Sequence, residues 1–188
     1  MTAGRGIFAS SVGLCVALGG CAVGAQGSFR AAPRDREAAE RCNAEGLTLI
    51  EQERFAEAAE KFAQAAEADP FLGPAHANRG VALLKLGRWY DAAVELRWAC
   101  QLMPRASQPR ANLGVLFERS GQYDLAEERL REALRLNPDD FEITGHLARI
   151  HVRQGIRTDE TVAWLQMLAT RDDDPAWRKW AGQELIAQ

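Results

Sequence analysis

Small residues and prolines recur along this chain at a fixed spacing of 34 residues. A glycine, an alanine and a proline series run in parallel: Gly46, Gly80 and Gly114; Ala58, Ala92 and Ala126; Pro70, Pro104 and Pro138. A period of this length is typical of one short structural unit that is stacked several times, because each unit buries its apolar face only against its neighbours. The spacing therefore predicts a repeat scaffold.

Each unit carries the pattern of two helices joined by a turn. In the third unit, Leu113, Leu116 and Phe117 recur at helical spacing. Gly121 is expected to end the first helix, because glycine tolerates the left-handed conformation common past a helix end. Pro138 ends the second helix, since proline cannot continue the backbone hydrogen bonds. Helix formers dominate the chain and Val and Ile are sparse, so the fold class is all-α.

The order Leu-Gly, an aromatic, Ala, Phe or Leu, Ala and Pro over residues 39–140 resembles the tetratricopeptide repeat. The resemblance implies a right-handed superhelical stack of antiparallel helix pairs, about three to four units long. It places units at residues 39–72, 73–106 and 107–140, with a degenerate unit at 141–174. In that unit Ala148, Arg157 and Glu160 replace the glycine, the aromatic and the alanine, while Trp164 keeps its phase. Residues 175–188 are predicted to form an amphipathic capping helix.

The N-terminal residues differ from the repeat. Arg5 is the only charge before Arg30, and residues 7–18 form an apolar stretch that suits a signal peptide and is too short to span a bilayer. Residues 18–21, Leu-Gly-Gly-Cys, resemble the lipobox of bacterial lipoproteins. That resemblance implies a signal peptide at 1–20, acylation of Cys21 and a tether over 21–38. It also implies anchoring at the bacterial cell envelope, with the periplasmic face of the outer membrane favoured. The alternative is cleavage after residue 25, which gives a soluble secreted periplasmic protein.

The sequence indicates no enzyme. It contains no phosphate-binding glycine loop, zinc-protease helix motif, paired CxxC or nucleophile elbow. His146 and His151 are five residues apart, so they diverge on a helix and make a poor metal pair. A formal net charge of −3 gives no electrostatic case for nucleic acid. We therefore expect neither cofactor nor metal, and we expect Cys42 and Cys100 to be buried thiols.

The resemblance places a protein or peptide partner on the concave face lined by the first helices. Asn78 and Asn112 lie one period apart on that face. In peptide-binding members of the family, asparagines at this phase hydrogen-bond the backbone of an extended ligand, since an amide both donates and accepts. Asn43 is displaced by one place and His146 replaces the asparagine of the fourth unit.

A row of basic residues has the same period. Lys85, Arg119 and Arg153 stand one period apart, and Arg149 lies one turn before Arg153. Such a strip favours an acidic segment or a chain-terminal carboxylate. The alternative is that these side chains only keep the surface soluble. Glu51 of the first unit interrupts the row.

Trp98 falls by phase on the outer side of a second helix. There it either anchors a partner or a second copy, or it reflects a local variation in packing. Together these patterns predict a scaffold or adaptor that binds a protein or peptide at an envelope membrane. Similar small lipoproteins assist the assembly of pilus, secretion or outer-membrane complexes. The alternative hypothesis is a structural subunit of a larger envelope complex that uses the outer face.

Overall fold

The computed structural model describes residues 34–187, which form nine α-helices and no strand. In chain order they are α1 (Arg36–Glu51), α2 (Phe55–Ala68), α3 (Gly73–Lys85), α4 (Trp89–Leu102), α5 (Gln108–Arg119), α6 (Tyr123–Leu136), α7 (Phe141–Gln154), α8 (Asp159–Arg171) and α9 (Pro175–Ile186). The prediction of an all-α stack of helix pairs is confirmed. The predicted signal peptide, Cys21 and most of the tether lie outside the described residues.

The helices pack as successive pairs. In each of the first four pairs the two helices contact each other, and the first helix of the next pair packs against the second helix before it. Neighbouring first helices also touch, from α1 through α3 and α5 to α7, whereas neighbouring second helices make few or no such contacts. The first helices therefore line the inner, concave side of the stack and the second helices line the convex side.

Two glycines of the repeat allow the two helices of a pair to approach closely. A Cβ atom added at Gly114 would lie 2.5 Å from Leu130 Cγ, and one added at Gly80 would lie 2.6 Å from Leu96 Cγ. Both leucines are fully buried. The alanine series is buried in the same interfaces: Ala58, Ala92 and Ala126. The periodic small residues thus set the distance between paired helices.

The fourth unit departs from the 34-residue spacing by one position. Three residues separate the helices of each earlier pair, but four residues, 155–158, separate α7 from α8. Because of the additional residue, Thr161 and Leu165 are fully buried while the side chain of Glu160 is 48% exposed. Although Trp164 is itself buried in the core, the prediction that Glu160 and Trp164 hold the places of the core alanine and leucine is therefore wrong by one residue. Thr161 and Leu165 occupy them.

Helix α9 covers the end of the stack. Its first turn is capped by Asp174, whose carboxylate accepts a hydrogen bond from the amide of Ala176 at 2.7 Å, and Pro175 opens the helix. Trp177 of α9 lies against Gly145 of α7, where an added Cβ would come within 3.1 Å of the indole ring. None of the described helices has the length and apolar character needed to traverse a lipid bilayer.

Candidate functional site

The first helices α3, α5 and α7 each present one stripe of side chains to the concave side. The stripe follows the spacing i, i+4, i+7 and i+11 along the helix. The residues at these positions are Pro74, Asn78, Val81 and Lys85 on α3; Gln108, Asn112, Val115 and Arg119 on α5; and Glu142, His146, Arg149 and Arg153 on α7. We call this surface the groove.

The two groove asparagines have different surroundings. The amide nitrogen of Asn78 donates a hydrogen bond to the side-chain oxygen of Asn43 on α1, at 3.0 Å. Asn112 is half-buried and hydrogen-bonds to no described residue through its side chain. Asn43 therefore joins the site although it is out of phase by one residue, and Asn112 presents a free amide to a ligand.

Three of the predicted basic residues form a row along one edge of the groove. Lys85, Arg119 and Arg153 are all exposed, lie in the last turn of their helices and form no ion pair with a described residue. Glu51 occupies the corresponding end of α1. A cation in the last turn also offsets the partial negative charge of a helix C-terminus. The row is thus available to a ligand and has a second, local role.

Arg149 does not contribute a free charge to this row. Its guanidinium donates to the carboxylate of Glu118 on α5 through Nε at 2.5 Å and Nη2 at 2.8 Å. His146 Nδ1 lies 2.7 Å from the same carboxylate, and the ring of Trp177 lies 5.0 Å from the guanidinium carbon. The expectation of a free Arg149 in the basic strip is therefore corrected, because a buried carboxylate neutralises it.

Glu118 is the buried centre of this network, with a side chain only 1% exposed. Burial by itself raises the pKa of the Glu118 carboxyl, but hydrogen bonds from His146 and Arg149 outweigh it and bring the pKa down to about 2. The sequence does carry a signal for this residue that was missed. The positions 34 residues before and after Glu118 carry the apolar residues Leu84 and Val152. A charge at an apolar phase indicates a paired, buried group.

Trp98 lies apart from the groove, on the convex side of the stack. Its side chain is 51% exposed, and its ring lies 6.4 Å from that of His76. Tyr90 and Val94 are also exposed on the outer side of α4, at intervals of four residues. Trp98 is therefore part of an apolar stripe and does not meet the groove asparagines.

Among residues 34–187, no set of three or more His, Cys, Asp or Glu side chains is arranged to hold a metal ion. Cys42 and Cys100 are free thiols. The sequence predicts that both thiols are buried. In the structure each is only half-buried, because α1 and α4 leave part of the sides that carry Cys42 and Cys100 open to solvent.

Comparisons with known proteins agree with this architecture. A family model for the tetratricopeptide repeat matches residues 43–101 and 112–176. The structure is similar to pilF of Pseudomonas aeruginosa, with a TM-score of 0.71 and 21% identity over 80% of this chain and 69% of that one. It is similar to the first such domain of Spaghetti (RPAP3) bound to the HSP90 peptide SRMEEVD, with a TM-score of 0.63 and 21% identity over 65% and 97%.

The domain of Arabidopsis OM64 is also similar, with a TM-score of 0.61 and 19% identity over 63% of this chain and 98% of that one. At these identities the likeness shows the fold alone. No curated protein matches the sequence.

Proposed function

The chain belongs to the tetratricopeptide repeat family, and on that premise we propose that it is a non-enzymatic scaffold that binds an extended protein segment in its groove. The observation that carries the proposal is the combination of one free amide with three unpaired cations. Asn112 can donate to and accept from a ligand backbone, while Lys85, Arg119 and Arg153 meet carboxylates along the edge. The ligand is therefore an acidic segment.

The charges also indicate where along the groove the acidic residues lie. Glu51 on α1 repels carboxylates, whereas the edge from α3 to α7 is basic. Arg149 contributes a flat surface and no free charge, because Glu118 neutralises it. We expect the acidic part of the ligand over α3, α5 and α7. The similar Spaghetti (RPAP3) domain binds a peptide, SRMEEVD, that contains three acidic residues, which supports this ligand class.

We propose further that acyl chains on Cys21 hold the scaffold at the periplasmic face of a bacterial outer membrane. The support is the Leu-Gly-Gly-Cys segment and the apolar stretch before it. Two or more acyl chains give stable anchoring where one chain is marginal. In that location the scaffold assists assembly of a pilus, secretion or outer-membrane complex. The likeness to pilF of Pseudomonas aeruginosa makes the first of these the one to test first.

A second candidate function is a structural subunit that docks through its convex face. The observation that favours it is the exposed stripe of Tyr90, Val94 and Trp98 on α4. Large exposed aromatic residues are common anchors of protein interfaces. The groove and the stripe lie on opposite sides of the stack, so variants can separate the two functions.

The groove is tested by reversing the charge of its free cations. We expect K85E/R119E/R153E to abolish recovery of partners that are crosslinked in cells. A matched control, R105E/R171E/K179E, makes the same charge change at exposed positions outside the groove and is expected to leave recovery intact. Wild-type recovery from the groove variant would refute the groove proposal. Loss of recovery from Trp98→Ala instead would favour the structural subunit.

The lipid anchor has a separate test. Cys21→Ser is expected to move the protein from the membrane fraction to the soluble periplasmic fraction and to remove the mass of the acyl chains. If the variant stays membrane-bound with an unchanged mass, Cys21 is not the anchor. A soluble wild-type protein whose mature N-terminus is residue 26 would support cleavage after residue 25.

A further inference from the structure

A second recess opens on the convex side, between α4 and α6. It encloses about 780 Å³, and α5 forms its floor. Leu113 and Phe117 of α5 give the floor an apolar surface, and Cys100 of α4 lies beside them. Leu125 and Leu136 of α6 extend this apolar surface to the rim, where both are exposed. We call this recess the α4–α6 cleft.

Arginine dominates the charged lining of the cleft. Four arginines and one glutamate line it: Arg97, Arg110, Arg129, Arg135 and Glu132. Arg129 pairs with Glu132 at 3.0 Å and with Glu128 at 3.1 Å, and Arg110 lies 3.9 Å from Glu132. Arg97 and Arg135 are exposed and pair with no described carboxylate. The cleft therefore has an excess of positive charge.

The corresponding space one unit earlier, between α2 and α4, is neutralised from within. His76 Nδ1 and Arg79 both lie 2.7 Å from the carboxylate of Glu95, and Trp98 lies beside the imidazole. These residues occupy the phases of the α4–α6 lining: one period further on, Glu95 becomes Arg129, and Trp98 becomes Glu132. Compared with the space between α2 and α4, the α4–α6 cleft thus has a guanidinium in place of a carboxylate and lacks the large indole ring.

The space one unit later, between α6 and α8, is also neutralised from within. Arg131 makes two hydrogen bonds to Glu160, at 2.8 and 3.0 Å, and a third to Glu127, at 2.7 Å. His151 Nδ1 lies 2.7 Å from the hydroxyl of Thr161. Compared with the spaces on either side, the α4–α6 cleft is therefore distinguished by its unpaired arginines, which do not follow from the repeat.

We propose that the α4–α6 cleft is a second docking site, which takes an acidic amphipathic helix from a partner protein. The apolar side of the helix enters the cleft against Leu113 and Phe117, and its carboxylates meet Arg97 and Arg135 at the rim. Docking of an amphipathic helix into an apolar groove is a common mode of recognition, and arginine at the rim pairs well with carboxylates. This site is separate from the groove and is independent of the function proposed for it.

Charge argues for a protein segment over two other occupants. The chain's own first 34 residues contain no Asp or Glu, so they cannot neutralise the arginines. The whole chain carries a formal net charge of −3, which disfavours an anionic membrane. The arginines also line a recess between helices, whereas a membrane presents a broad surface. An acidic segment narrow enough to lie between α4 and α6 fits both features.

The cleft contains its own reporter, Cys100, and the chain offers an internal control, Cys42 on α1. The probe is a short helical peptide with leucines on one face and glutamates on the others, and its control has glutamines in place of the glutamates. Alkylation of each cysteine of the full chain by N-ethylmaleimide is followed by mass spectrometry. We expect the acidic peptide to slow alkylation of Cys100 and to leave Cys42 unchanged.

The expected affinities test whether the two rim arginines of the cleft bind the peptide. Reversing two rim charges, in R97E/R135E, should weaken peptide binding about tenfold or more, because two ion pairs become repulsions. The matched variant R171E/K179E makes the same charge change at exposed positions outside both the cleft and the groove and should bind as the wild type does. An unprotected Cys100, or equal loss from both double variants, would overturn the proposal.

Two further results would assign the cleft to another occupant and so also overturn it. The first is protection of Cys100 by phosphatidylglycerol vesicles and not by the acidic peptide, which would indicate a membrane surface. The second is protection that rises with protein concentration without peptide and is abolished by R97E/R135E, which would indicate a second copy of the chain.

Discussion

The close approach of Leu130 to Gly114 makes a prediction about stability. The effect of Gly114→Ala on the free energy of unfolding should change sign when Leu130 is replaced by alanine. A Cβ at residue 114 would lie 2.5 Å from Leu130 Cγ and 3.3 Å from the carbonyl oxygen of Ala126. In the wild-type background Gly114→Ala therefore crowds the interface between α5 and α6. In a Leu130→Ala background the crowding atoms of the leucine are absent, and the 3.3 Å approach to the carbonyl oxygen of Ala126 is the close contact that remains of these.

The magnitudes follow from two opposing effects. Alanine in place of glycine favours a helix by about 1 kcal/mol, while overpacking a tight core costs about 1–3 kcal/mol. We expect Gly114→Ala alone to lower the free energy of unfolding by about 1 kcal/mol, as the balance of these two effects. Leu130→Ala alone should cost about 2–5 kcal/mol, because Leu130 is fully buried. Added to Leu130→Ala, Gly114→Ala should be stabilising by up to about 1 kcal/mol.

The measurement is urea unfolding followed by far-ultraviolet circular dichroism for the two single variants and the double variant. Gly182 of α9 supplies the control, because no atom outside its own helix turn lies within 4 Å of an added Cβ. Gly182→Ala should therefore be stabilising in any background. If Gly114→Ala is equally destabilising with Leu130 and with Ala at residue 130, the close approach of the helices is not what requires glycine.

Three further predictions concern charge and the cap. The pKa of Glu118 is about 2 in the folded chain and 4.5 in the unfolded chain. The ionised carboxylate therefore stabilises the fold by about 3 kcal/mol above pH 4.5, and this stabilisation is lost as the pH falls towards 2. Urea unfolding of Glu118→Gln should show a weaker pH dependence than that of the wild type over this range. Trp177→Ala should cost up to about 3 kcal/mol, at the low end for tryptophan because Trp177 is half-buried, and should increase amide exchange in α9, because the ring joins α9 to α7. Unchanged exchange would contradict that role. Arg131→Gln should cost below about 1 kcal/mol, and less in high salt, because its pair with Glu160 is partly exposed; a loss that high salt does not reduce would argue against this reason.

The sequence predicted the helix pairs and their core well because both depend on local spacing. Gly114 lies opposite Leu130 in the structure, and Gly121 takes the left-handed conformation, with φ +75°, that the pattern requires at the end of α5. The fourth unit was less predictable. A single additional residue in the turn at 155–158 places Glu160 at the surface and Thr161 in the core. No residue pattern within that turn predicts the insertion.

The candidate site could be predicted only in part. Lys85, Arg119 and Arg153 are exposed along one edge of the groove, and their phase could be read from the chain. The neutralisation of Arg149 could not be predicted from the sequence. Its partner Glu118 lies 31 residues earlier on another helix, and this separation does not match the 34-residue period. Their pairing depends on how α5 and α7 lie side by side.

The amino-acid sequence by itself determined the unit, its length and the residues that let two helices approach, because small and bulky side chains at a fixed period leave few other ways to bury the apolar faces. The tertiary structure decided which charges remain free. Glu118 forms an ion pair with Arg149, whereas Arg97 and Arg135 pair with no described carboxylate. Electrostatic pairing depends on distances of a few ångströms between residues of different units, and those distances arise only when the units are stacked.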